Sequence, residues 1–364
     1  MPRSAGPILM TVTTPESTPH LSAGQWSARN ISFGSTRTVI LDTDYLLNQV
    51  KEGVRRGGSL FLLGGPPLGK VRAFASSHVL QELYQPDQLG HRHKWDKLSK
   101  QSKDEGWPKA PEAFHTFFVS HFLSDITFVD VTGMFEDELA VQDVRKIDPK
   151  DARTAQLAVL LSRMRPIVYA HDHSLWKPGL APQPLQFQAV LAAGHDLESG
   201  ETTVIGVTYV GAAFVWGVDG VTNRTAALFK VPRWVPYLVL AGGATWYLLG
   251  RQRRDKLIKA LKPVGDFLTL QMELASRSIE VLSSAVANVP DDDRLECRVA
   301  EVLAQCGDDE RLLAREIQDR ASEHSPSLAV PTIQEIRAVL ANPSFVEGPR
   351  YRYRLGRRYR AESD

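Results

Sequence analysis

Short apolar runs recur through the first half of the chain, separated by stretches with helical spacing, and this alternation restricts the fold more than any other feature. The runs are residues 38–42, ending Val39-Ile40-Leu41-Asp42, residues 59–63, residues 126–130 and residues 167–170. Each is long enough for a buried strand, too short for a helix, and rich in β-branched or aromatic side chains. Between them, Leu46, Leu47 and Val50 share one helical face over residues 45–55, with Gly57-Gly58 as the stop. A second helix opens at Val79, and residues 152–163 form an Ala/Leu-rich helix. Strands alternating with helices imply an α/β fold, a mostly parallel sheet covered on both faces, here spanning residues 37–195. Residues 86–110 are polar and lysine-rich, an insertion or a loosely packed helix. Residues 1–36 hold few large apolar side chains and read as a flexible arm.

Composition sets the outer limits. With 43% hydrophobic and 23% charged residues in 364, wholesale disorder and a polytopic membrane protein are both excluded. Lys and Arg number 43 against 42 Asp and Glu, so any electrostatic message is local. Cys297 and Cys306 are the only cysteines, which rules out a disulfide scaffold and a cysteine zinc cage. With no apolar leader visible, a cytoplasmic location is expected.

Four carboxylates fall at the ends of these elements. Asp42 closes the first strand in Leu-Asp-Thr-Asp, Glu82 lies early on a helix in Val-Leu-Gln-Glu-Leu, Asp151 opens the Ala-rich helix, and Asp172 follows the strand in Tyr-Ala-His-Asp-His. In a parallel sheet the C-terminal strand edges and the following helix starts share one rim, where ligand sites form. Carboxylates gathered there repel one another, which implies a bound hard cation, Mg²⁺ or Mn²⁺. A lone Asp in such a place is ordinarily a helix cap or a turn residue. Taken together and in this order, however, these motifs resemble the PIN domain family of metal-dependent nucleases, over about residues 38–180.

That resemblance implies that Asp42, Glu82, Asp151 and Asp172 are catalytic metal ligands, with Asp44 and Asp148 as alternates. Ala170 stands where the family often has Thr, and the 86–110 segment lengthens the spacing from Glu82 to Asp151. The expected activity is endoribonuclease cleavage of single-stranded RNA by metal-activated water. The alternative is a PIN fold without catalysis, acting as a binding or scaffold protein.

Two other patterns compete for a function. Gly64-Gly65-Pro66-Pro67-Leu68-Gly69-Lys70 has the spacing of a phosphate-binding loop up to its lysine. Val71 replaces the required hydroxyl, and the prolines remove two N–H donors, so a turn is the simpler reading. His91, His93, His171 and His173 lack the spacing of a helical zinc site.

Residues 200–252 contain two uncharged stretches, 204–218 and 234–250, with Arg251, Arg253 and Arg254 immediately after. They suggest either a hairpin entering a bilayer from its cytoplasmic face or an apolar hairpin buried in the fold or in a homo-oligomer interface. An amphipathic helix over 253–290 leads to a module, 291–360, with three short helical patterns and a strand–turn–strand pattern around Gly348-Pro349. This order resembles a winged helix. Its last segment interleaves Arg352, Arg354, Arg357 and Arg358 with Tyr351, Tyr353 and Tyr359, a composition suited to gripping nucleic acid, with protein docking or contact with anionic lipid as the alternatives.

Overall fold

The computed structural model describes residues 35–57, 71–84, 94–216, 251–306 and 310–359, with backbone alone over 202–216, 251–265 and 267–268. Four strands, β1 (Arg37–Leu41), β2 (Val71–Ser76), β3 (Ile126–Val129) and β4 (Ile167–Tyr169), form one sheet in the order β3-β2-β1-β4. All three pairings are parallel. The helices in chain order are α1 (Thr43–Arg56), α2 (Ser77–Tyr84), α3 (Lys94–Asp104), α4 (Pro111–Phe118), α5 (Leu139–Ile147), α6 (Ala152–Leu160), α7 (His173–Trp176), α8 (Pro184–Trp216) and α9 (Arg251–Ser284).

Strand alternation divides the core. Val39, Leu41, Ala73, Ala75, Ile167 and Tyr169 face a layer containing Tyr45 and Leu46 of α1, Phe114 and Phe118 of α4, and Phe187 and Val190 of α8. Ile40, Phe74 and Val168 face the other way, toward Ala155, Leu157 and Val159 of α6. Both faces are covered, so successive residues in the middle of the strands are apolar, as a parallel sheet requires.

Two local readings are refined. Val71, immediately after Lys70, opens strand β2 rather than the helix that a phosphate loop would need. The run at 59–63, the glycine-proline stretch and His91 and His93 lie outside the described residues. Residues 94–104 are a packed helix, not a loose insertion. Trp95 and Leu98, one turn apart, are buried, and the indole lies 5.5 Å from the Phe118 ring. One apolar pair is enough to seat a helix whose other positions are charged or polar.

Residues 204–216 continue α8 without a break, so α8 runs through the expected boundary at 195–200. Helix α9 lies antiparallel to it: Gly200 sits against Ala275, while Leu191 and Leu282 line one cavity nearer the sheet. A buried ion pair, Arg37 to Glu201 at 3.2 Å, ties α8 to the start of β1. Among the described residues no helix is long and apolar enough to cross a membrane. The apolar stretch 234–250 lies outside them.

The C-terminal part comprises α10 (Leu295–Gln305), α11 (Ala314–His324), α12 (Ile333–Leu340) and three short strands, β5 (Leu312–Leu313), β6 (Phe345–Gly348) and β7 (Arg352–Leu355). The strands form an antiparallel sheet in the order β5-β7-β6. Thr332 and Glu335 form a reciprocal capping box that starts α12.

This part is not an appendage. Cys297, Val299, Ala300 and Leu303 of α10 share one continuous core with Leu157 and Leu160 of α6. Arg163, 3% exposed, donates to Glu301 at 2.7 Å, to Ser325 at 2.7 Å and to Asp293. Arg294 pairs with Glu138 at 2.7 Å and lies 4.3 Å over the Phe135 ring.

After β7 the chain docks on the open edge of the parallel sheet, where Arg357 and Phe128 exchange backbone hydrogen bonds of 2.7 and 2.8 Å. Gly356 permits that approach: its φ is +63°, and an added Cβ would lie 2.5 Å from the Phe128 carbonyl oxygen. Gly356→Ala is therefore expected to cost about 2–3 kcal/mol, from strain and overlap together. Urea denaturation would measure the loss, and faster proteolytic nicking near residue 357 would locate it.

Candidate functional site

The strand order makes the site. From β1 the chain steps to β2 and β3 on one side, and β4 lies on the other, so the crevice of this sheet opens at the C-terminal ends of β1 and β4. Asp42 leaves β1 there, with its backbone N–H donating to Tyr169 O at 3.0 Å, and Asp172 follows β4 three residues after Tyr169.

Asp42 stands at the N-cap position of α1 but makes no side-chain capping bond. Its carboxylate, 6% exposed, instead accepts from Thr154 Oγ1 of α6 at 2.9 Å. The ordinary role of an Asp in this position is thus not the one it plays. Asp151 likewise starts α6 without capping it, and accepts from the Ser174 hydroxyl. Asp172 does cap α7, accepting from Ser174 N at 3.0 Å and from Ser174 Oγ at 3.1 Å. Glu82 of α2 reaches back to α1 and accepts from the Thr43 hydroxyl.

Electrostatics tie these groups into one cluster. Burial, then Asp151, then Asp44 and Glu82 push the Asp42 carboxyl up to about 8, with the Thr154 bond opposing them. Burial raises Asp151 to about 6, helped by Asp172, Asp148 and Glu82 and opposed by Ser174. All four expected ligands and both alternates therefore share one field. Asp44 is exposed on the first turn of α1, and Asp148 closes a turn by accepting from Lys150 N at 2.8 Å. The His171 ring lies tilted against Phe187, with centroids 4.5 Å apart, and burial lowers its pKa.

The donor chemistry fits a hard cation: only oxygens, with two carboxyls that burial and mutual repulsion hold above the ordinary carboxylate range. The spacing is that of a hydroxyl-bridged network. Among the described residues no three His, Cys, Asp or Glu side chains are grouped to hold one ion. The bridging hydroxyls of Thr43, Thr154 and Ser174 were missed in the sequence. Their only signals are adjacency to Asp42, the three-residue step from Asp151 and the two-residue step from Asp172.

No family model, curated protein or solved structure matches this chain. What it can do must be read from its own residues.

The arginine-rich segment behaves differently from an exposed tail. Arg358 Nε donates to Thr127 Oγ1 at 2.9 Å, Arg352 Nη1 donates to Arg311 O at 3.0 Å, and Arg354 is partly buried. Arg352 and Arg357 remain exposed. Both cysteines are buried, and burial pushes the Cys306 thiol up to about 11, consistent with small core residues.

Proposed function

We propose that the chain is a divalent-metal-dependent nuclease of PIN type acting on single-stranded RNA. The observation that carries this reading is the buried Asp42 carboxylate, uncommitted to capping and coupled to Asp151 and Glu82 at the sheet's crevice. Asp42, Glu82, Asp151 and Asp172 would hold Mg²⁺ or Mn²⁺, which supplies an activated water and charge neutralisation for phosphodiester hydrolysis.

The protein's own groups have definable parts in that task. Thr154 orients Asp42, Ser174 orients Asp151 and Asp172, and Thr43 orients Glu82. Hydroxyl partners of this kind fix ligand rotamers and tune their basicity. A single strand suits a rim site, because its unpaired bases can splay aside and let the backbone bend into the crevice. The C-terminal helices and hairpin follow winged-helix order, and exposed Arg352 and Arg357 would extend the contact with the RNA strand.

Asp172→Asn and Asp151→Asn are each expected to lower the rate of Mn²⁺-dependent cleavage of an unstructured RNA by on the order of 10²-fold or more. EDTA should have the same effect on the unaltered protein. Undiminished cleavage by the two variants together, in protein freed of contaminating nuclease, would refute the assignment.

A second reading has its own support. Ala170 and the hydroxyl-bridged spacing favour a PIN-fold protein that binds without cutting. Titration with Mn²⁺ by calorimetry, Asp42→Asn against the unaltered protein, separates the two: a binding-only protein would show no heat in either.

A further inference from the structure

Beside the acidic crevice lies a cavity of opposite character. It has a volume of about 360 Å³ and opens between the start of α2 and the start of α6, lined by Ser76, Ser77, His78, Thr132, Lys150 and Arg153 among others. No carboxylate is among the described residues that line it, and its charged side chains are Lys150 and Arg153. Yet the acids are next door. Asp151 sits between the two cations in sequence, and His78 Nε2 lies 3.8 Å from Glu82 Oε1, one turn further along α2.

Three independent features suit this cavity to an anion. Two helices begin at its walls, and first-turn N–H groups with the helix dipole behind them favour a negative group. Lys150 is exposed and Arg153 half-buried, so both cations can reach a ligand without a large desolvation cost. Ser76, 2% exposed at the end of β2, lines the cavity with a buried hydroxyl that has no hydrogen-bond partner, and His78 Nε2 is buried without one as well. Leaving a buried hydroxyl unpaired is unfavourable, so its persistence at a cavity wall points to a ligand that accepts from it.

We propose that this cavity holds a phosphate of the nucleic-acid strand adjacent to the phosphate being cut. The inference rests on the nuclease reading and adds to it the strand's path: across the acidic crevice, then over the α2 and α6 starts. Recognition is through the backbone, so it carries no base preference. It also separates two jobs, since the acidic crevice must attract a cation while Lys150 and Arg153 attract the polyanion.

The test uses the full-length protein in EDTA, so that catalysis plays no part. Two dissociation constants are measured, for inorganic phosphate and for a short unstructured RNA, in the unaltered protein, Lys150→Ala, Lys150→Ala/Arg153→Ala and Asp172→Asn. The expected result is a loss of about tenfold or more in both affinities for the double variant, a smaller loss for Lys150→Ala, and phosphate binding retained by Asp172→Asn. The salt dependence of RNA affinity should flatten by about one to two phosphate contacts. Because Lys150 is exposed, its replacement leaves the fold intact and the reading interpretable.

Equal phosphate affinity in the unaltered protein and the double variant, or none in either, overturns the pocket. Phosphate binding that falls while RNA affinity holds overturns the strand assignment and leaves a site for free phosphate. If both affinities fall as expected but no form cleaves RNA with Mn²⁺ restored, the pocket stands and the nuclease reading alone fails.

Discussion

Asp42→Asn is expected to stabilise the metal-free protein at pH 8, leave it unchanged near pH 4, and abolish its response to divalent cations. The sign follows from the direction of the shift. The Asp42 carboxyl is held up at about 8 in the fold, against 3.8 when unburied. Below pH 4 both states carry the proton, so this group does not affect stability. As pH rises toward 8 the unfolded chain releases its proton while the folded one retains it, and stability falls across that window. Above pH 8 the penalty is constant, with an upper bound of roughly 6 kcal/mol and a realistic value of about half that.

Asparagine never ionises, and its amide oxygen still accepts from Thr154, so the variant escapes this cost. Asp151, raised to about 6, adds a shallower fall of the same sign in both proteins. Urea denaturation in EDTA from pH 4 to pH 8 measures the difference. Added Mn²⁺ should then restore the unaltered protein at pH 8, by binding only the folded state, and leave Asp42→Asn unmoved. Parallel pH curves for the two proteins, or equal shifts with Mn²⁺, would show that Asp42 lies outside any metal site.

Arg163→Ala is the second large effect, expected to destabilise the chain by about 3–5 kcal/mol. Glu301, 2% exposed, would lose its 2.7 Å partner, and Ser325 and Asp293 would lose theirs in the same step. Burial already pushes the Glu301 carboxyl up against the pull of Arg163, so loss of that guanidinium would push it further up. The double variant Arg163→Met/Glu301→Gln removes both charges and should recover most of the loss. Thermal and urea unfolding of the three proteins decide it. A single cooperative transition is expected throughout, because α6 and α10 share one core. An unaltered midpoint in Arg163→Ala would mean that the C-terminal part is only lightly attached.

The candidate site was legible in part because strand ends are local events. An apolar run followed by Asp-Thr-Asp, or by His-Asp-His, places a carboxylate on the rim of a parallel sheet whatever the rest of the chain does. The partners of those carboxylates were not legible. Thr154 lies 112 residues from Asp42, and nothing near either residue records that they meet. The anion pocket was hidden for the same reason, since Ser76 and Lys150 come together only when β2 and α6 are side by side.

What the sequence determined by itself is therefore the alternation of strand and helix, the parallel sheet it implies, and the acids at the strand ends. Periodicity records which face of an element is buried. It does not record what buries it. The tertiary structure alone decided that Val71–Ser76 is the strand beside β1, that lysine-rich α3 is seated by Trp95 and Leu98, and that the arginine-rich end docks on β3 through Gly356. In each case a few apolar or backbone contacts, made between segments far apart in the chain, outweighed a local composition that favoured solvent.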